Sequence, residues 1–183
     1  MSQKYIIRKS EVFHQNPRWA YKHDEVELPS GKMLDYFYGE KIGGVIIVPV
    51  LEDGRLLLEK QERYLHPKLS LEFPRGSMET GEAPSEAAKR EFIEETGGEA
   101  RELIGLGTIE PWNSWLRDTL HIFLATGVQV VGGQQLDEDE KIEIVYRRVD
   151  EFEDMIRRGE VWDGITLAAW ALAREHIYKL QQQ

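Results

Sequence analysis

The pattern of apolar and polar positions changes period along the chain. Positions 45–51, Val-Ile-Ile-Val-Pro-Val-Leu, form an apolar run behind Gly43-Gly44. A short β-branched run bounded by turn residues predicts a buried strand. Asp53-Gly54 predicts a hairpin turn, and Leu56-Leu57-Leu58 the partner strand, continuing towards Arg63. A loop is expected next, then Leu71-Glu72-Phe73-Pro74, where the proline marks a strand end. From Pro84 the spacing turns helical. Ala88 and Phe92 share one side, proline suits the first helical position, and Gly97 suits the residue past the end. Strands are predicted around 103–109, 120–126 and 142–149, and a short helix over 150–158 stopped by Gly159. A last helix is expected over 165–180, with Ile165, Ala169, Leu172 and Ile177 close to helical spacing. Residues 1–40 read as short strands and turns, Pro29-Ser30-Gly31 among them. The order predicts an α/β fold over 41–183, a mixed sheet with helices on both faces, preceded by a β extension over 1–40.

Composition narrows the chemistry. A chain of 183 residues suits one domain with a short extension. It has no cysteine, so disulfides and thiolate metal sites are excluded, and any metal must take oxygen or imidazole ligands. None of the five histidines has metal-ligand spacing. No apolar run approaches the roughly 20 residues that span a bilayer. Nor does the start show a charged region followed by an apolar core, so a cytoplasmic location is expected. The net charge of −10, from 33 acidic and 23 basic side chains, argues against a broad grip on long nucleic acid. An anionic substrate would need a local source of positive charge, which a divalent cation and a few placed arginines supply.

The helix at Pro84 carries the distinctive chemistry. At about 100° per residue, Glu91, Glu94 and Glu95 fall within one arc. Carboxylates so placed repel each other, and a hard cation such as Mg²⁺ or Mn²⁺, which prefers oxygen ligands, would repay that repulsion. Arg90 stands four residues from both Glu86 and Glu94 and balances part of the charge. Gly76 and Gly81 let the preceding loop bend, so that a backbone carbonyl such as that of Arg75 can approach a metal. Taken alone, the acid cluster fits an exposed charged helix equally well.

The spacing decides between them. Gly76, five residues, Glu82, seven residues, then Arg90-Glu91-Phe92-Ile93-Glu94-Glu95-Thr96-Gly97 resembles the signature of the Nudix hydrolase superfamily. All its fixed positions are met: Gly76, Glu82, Arg90, Glu91, Glu94 and Glu95. Phe92 and Gly98 stand where aliphatic residues are usual, which bears on packing rather than on ligands. The resemblance implies a Nudix-type α/β/α sandwich. It also implies that Glu91 and Glu95 are the principal metal ligands with Glu94 close by, that Arg90 orients the acids, and that Glu82 or Glu79 serves a further metal.

Three flanking stretches resemble the ADP-ribose pyrophosphatase and nucleoside diphosphate sugar hydrolase branch. They are Gln61-Glu62-Arg63-Tyr64 with Leu71 to Gly76, then Glu110-Pro111-Trp112-Asn113-Ser114, then Asp137 to Ile142 with Gly159 to Thr166. Arg63 and Arg75 suit a diphosphate, because a guanidinium forks onto phosphate oxygens, and Glu72 is grouped with them as substrate-binding. Trp112, standing where this branch usually has glycine, suits stacking on a base or sugar, or equally anchoring of its loop or a dimer contact. The resemblance assigns Glu138 to the attacking water, with Glu140 in reserve. It also implies a homodimer paired through the N-terminal strands around Pro17-Arg18-Trp19. ADP-ribose, cut to AMP and ribose 5-phosphate, is the substrate implied. A GDP- or UDP-sugar, a dinucleoside polyphosphate or a capped RNA end remains open. A non-catalytic nucleotide-binding module is expected to lose box glutamates, and all are present here.

Overall fold

The apolar run at 44–51 becomes the strand on which the larger part of the molecule is built, in a computed structural model that describes residues 4–136 and 141–182. In chain order the elements are β1 (Ile6–Gln15), β2 (Ala20–Glu27), β3 (Met33–Glu40), β4 (Gly44–Leu51), β5 (Leu56–Arg63), β6 (His66–Glu72), β7 (Arg75–Ser77), α1 (Pro84–Thr96), β8 (Gly98–Glu99), β9 (Glu102–Ile109), β10 (Leu116–Arg117), β11 (Leu120–Val130), β12 (Glu143–Arg147), α2 (Val149–Arg157) and α3 (Gly164–Leu180). They divide into two compact units, residues 1–43 with 110–119, and residues 44–109 with 120–183. Among the described residues no helix is long and apolar enough to cross a membrane.

The first unit is a meander of β1, β2 and β3, with β10 added parallel to β3. Gly31 turns the chain between β2 and β3 at φ 79°, and its N–H donates to the Leu28 carbonyl at 2.8 Å. Segment 110–119 is tied in by main-chain bonds, the Gly39 N–H donating to the Trp115 carbonyl at 2.8 Å. That membership pairs residues far apart in sequence, so no local pattern announces it.

The second unit holds an eight-stranded mixed sheet, with the path β12-β5-β4-β11-β8, and β6, β7 and β9 pairing with β5, β4 and β11. β4 and β11 run parallel. Because strand side chains alternate, the apolar run serves two cores at once. Val45, Ile47 and Leu57 pack with Ala87, Ala88 and Phe92 of α1. Ile46, Val48, Leu56 and Leu58 pack with Phe152 of α2 and with Ala169, Trp170, Ala173 and Ile177 of α3. Helices on both faces of a mixed sheet make this an α/β/α sandwich. Each fully buried Ile or Leu contributes about 1.5–3 kcal/mol, and a one-residue slip of β4 would exchange the two faces.

α1 begins and ends as its sequence dictates. Pro84 opens it, and Gly97 closes it in the left-handed region at φ 64°, donating its N–H to the Ile93 carbonyl at 2.8 Å. The two departures from the usual signature answer each other. A Cβ on residue 98 would lie 2.9 Å from the Phe92 ring, so the aromatic ring fills the space that a side chain at Gly98 would need.

Two expected elements differ. Where a loop follows Arg63, the chain turns at once into β6, which pairs with β5. Pro67 is tolerated there because β6 is an edge strand. β11 runs to Val130 rather than stopping near 126. It passes Gly127 at φ 62° through a register shift and picks up β8.

Candidate active site

Helix α1 and the short strand β7 bring the signature residues of the box into one connected group. A Cβ added at Gly76 would stand 1.9 Å from the Glu91 carboxyl carbon, so glycine is what allows the acid to lie against the strand. Arg90 is the hub. Its Nε and Nη2 donate to the two oxygens of Glu82, each at 2.9 Å. Its Nη1 donates to Glu91 at 2.8 Å and Glu94 at 3.1 Å, and Nη2 also reaches the Ser77 carbonyl at 3.0 Å. The guanidinium beside Glu82, and then the Glu79 N–H, hold the Glu82 carboxyl below the usual carboxylate range. Glu79 thus serves Glu82 through its backbone, at 2.9 Å.

The second group lies deeper. Glu95 is buried and accepts the Arg75 backbone N–H at 2.9 Å. Glu72, also buried, accepts from Arg63 Nε at 2.9 Å and from Arg63 Nη2, and pairs with Arg75 Nη2 at 2.7 Å. Arg75 Nη1 reaches Asp163 Oδ2 at 2.9 Å, and the same oxygen caps α3 by accepting the Thr166 N–H at 2.8 Å. So Arg63, Arg75 and Glu72 do converge, here in an ion-pair network with Asp163.

Sequence reasoning missed two members. Asp163 stands two residues before the expected helix start, a position where an acidic cap is common. Glu59 is the more unusual. It lies opposite Glu72 in the β5–β6 ladder, has no exposed surface, and neither of its carboxylate oxygens meets a hydrogen-bond donor. Burial, and then the charge of Glu95, push its carboxyl well above the usual range. The signal was parity: Glu59 is two residues past inward-facing Leu57. Trp112 lies in the exposed turn of the first unit, where its carbonyl accepts the N–H groups of Trp115 and Leu116 at 2.8 Å. Glu138 and Glu140 lie outside the described residues.

The donor set fits a hard divalent cation. It is all oxygen, carried on long side chains one helical turn apart, and Gly76 makes room for the Glu91 carboxyl itself. Among the described residues no three acid or imidazole groups already stand as a finished cage. Glu82, Glu91 and Glu94 are each engaged by Arg90 instead.

A family model for the NUDIX domain matches residues 41–169. The chain therefore belongs to the Nudix family, and it is a Nudix pyrophosphohydrolase. Enzymes of this family use divalent metals and act on nucleoside diphosphate compounds. Among its relatives, an ADP-ribose pyrophosphatase of Bacillus subtilis (strain 168) is 30% identical over 164 residues, covering 89% of this chain and 88% of the relative. A methanol dehydrogenase activator of Bacillus methanolicus is 28% identical over 147 residues, covering 80% of each. A solved structure described as an ADP compounds hydrolase superposes with a TM-score of 0.84 at 23% identity, over 97% of this chain and 96% of that one, and shares the fold.

Proposed function

We propose that the protein hydrolyses the diphosphate bridge of a nucleoside diphosphate sugar, ADP-ribose giving AMP and ribose 5-phosphate, with Mg²⁺ or Mn²⁺ as cofactor. The observation that carries this reading is the connected box, in which Gly76 makes room for Glu91 while Arg90 gathers Glu82, Glu91 and Glu94. Relatives whose names specify ADP-ribose support the choice of substrate.

In this reading Glu91 and Glu95 hold the ion, with Glu94, Glu82 and the Arg75 backbone carbonyl contributing. A bound divalent ion neutralises phosphate oxygens and makes a coordinated water more acidic. Water forms a bond to one phosphorus, the bridging P–O bond breaks, and the water's proton passes to a carboxylate. Glu138 is assigned that role on its sequence context alone. Glu94, Glu95 and Arg90 complete the reacting group, Arg90 by orienting the acids.

Arg63 and Arg75 bind the diphosphate. Each guanidinium has five N–H donors, more than Glu72 and Asp163 engage, so each can hold substrate while Glu72 keeps it in place. Trp112 is assigned to the base or sugar on its sequence context alone. Residues 1–40 form the pairing element of a homodimer, a reading supported by the exposed rings of Phe13, Tyr21 and Phe37, which cluster on one sheet face. A cytoplasmic location completes the proposal.

A substrate panel with Mg²⁺ and with Mn²⁺, scored by mass for the phosphomonoesters released, tests it. AMP and ribose 5-phosphate from ADP-ribose, faster than products from GDP- and UDP-sugars, is the expected result. Turnover confined to dinucleoside polyphosphates or capped RNA ends would replace the substrate assigned here. Sedimentation showing only monomer at micromolar concentration would remove the dimer.

A further inference from the structure

Glu59 lies outside the signature box, and among the described residues of the second unit it is the buried acid whose two oxygens both lack a hydrogen-bond donor. Its side chain is fully buried on β5, facing the same layer as Leu57, and both of its oxygens lack a donor. Its neighbours are the carboxylates of Glu95 and Glu72. Glu72 is satisfied by Arg63 and Arg75. Between Glu59 and Glu95, acceptor faces acceptor unless a proton or a cation stands between their oxygens. An ionised carboxylate buried without a partner costs several kcal/mol, so Glu59 is an acid that gains by sharing a positive charge with Glu95. The unpartnered acid points at the one box glutamate that is itself buried.

We propose that Glu59 is a cation-binding residue of this enzyme, supplying from β5 a carboxylate that the signature box does not contain, for the ion that Glu95 also serves. The proposal rests on the reading that a divalent ion serves the hydrolysis. It extends the ligand set from the helix to the sheet. The metal would then be held between α1 and a strand whose position is fixed by ladder bonds on both sides, from β6 and β12.

Metal binding itself is the test, read without substrate. Chelator-stripped wild-type protein, Glu59→Gln and Glu95→Gln are titrated with Mn²⁺, and the free ion is followed by electron paramagnetic resonance. Circular dichroism establishes that each variant is folded, and Glu59→Met replaces the glutamine variant if that one is not. The expected result is a loss of tenfold or more in Mn²⁺ affinity for Glu59→Gln, or one ion fewer bound. Crystals soaked in Mn²⁺ should place an anomalous peak at ligand distance, about 2.1 Å, from a Glu59 oxygen. If Glu59→Gln binds Mn²⁺ as wild type does while Glu95→Gln loses it, the proposal falls and the assigned hydrolase chemistry stands. If neither variant loses affinity, both fall together.

Discussion

Two groups of carboxylates in the second unit solve opposite problems. Around Arg90, three glutamates share one guanidinium at the edge of α1, where water screens what remains of their repulsion. Around Glu72, two guanidiniums serve one buried acid, while Glu59 beside it receives none. What matters is therefore not the number of acids but where the positive charge has been placed. In the outer group the arginine orders the acids by pairing with all three. In the inner group Glu72 is paired by two guanidiniums, and Glu59 meets no hydrogen-bond donor.

The comparison can be broken in order of effect. Glu95→Gln touches the buried box acid beside Glu59, and turnover should fall by on the order of a thousandfold, about 4 kcal/mol in barrier, with the far-ultraviolet dichroism unchanged. Turnover near the wild-type level would remove Glu95 from the site. Glu72→Ala comes next. It leaves Arg63 and Arg75 without their shared counter-charge, both only partly exposed, and should cost about 3 kcal/mol in urea unfolding. A loss below 1 kcal/mol would show the buried network to be ornamental.

Arg90→Met should cost less, about 1–2 kcal/mol in the metal-free protein, since its partners are nearer to water. Added Mn²⁺ should return most of that loss. No recovery would separate the arginine from the cation site. The smallest effect is a pair of opposite pH slopes, read with a chelator present. The Glu82 carboxyl is held below its ordinary value of 4.5 by Arg90, so its contribution is present above that value and is lost as pH falls through the lowered one. The midpoint difference between wild type and Glu82→Gln should therefore shrink on acidification. The Glu59 carboxyl is raised above the same ordinary value, so its penalty grows as pH rises from there. Glu59→Gln should gain on wild type with rising pH, and parallel slopes for the two variants would erase the distinction drawn here.

Much of this was legible in the residues alone. Pro84 and Gly97 set the ends of α1 because each has a backbone constraint that fits only there. The apolar run at 45–51 announced a buried strand, and its burial on both faces is why it lacks alternation. The spacing of the box named Gly76, Glu82 and Arg90 before their contacts were known. What stayed hidden depends on partners distant in sequence. β6 could not be told from a loop, because Pro67 argues against a strand unless the strand is known to be at an edge. Segment 110–119 joins the first unit through bonds to β3, which no window of sequence contains. Glu59 looked like the polar end of a leucine run, and only the ladder with β6 shows that it points inward against a second acid.

The empty space at residue 76 separates two properties that usually fail together. What a methyl group there would strike is the tip of a flexible side chain rather than backbone, so the fold could yield and survive. The group displaced, however, is the carboxyl of Glu91. If Glu91 holds the ion as proposed, a lineage that drifted from glycine to alanine at this point would keep its scaffold and lose its cofactor, turning an enzyme into a pseudoenzyme in a single step.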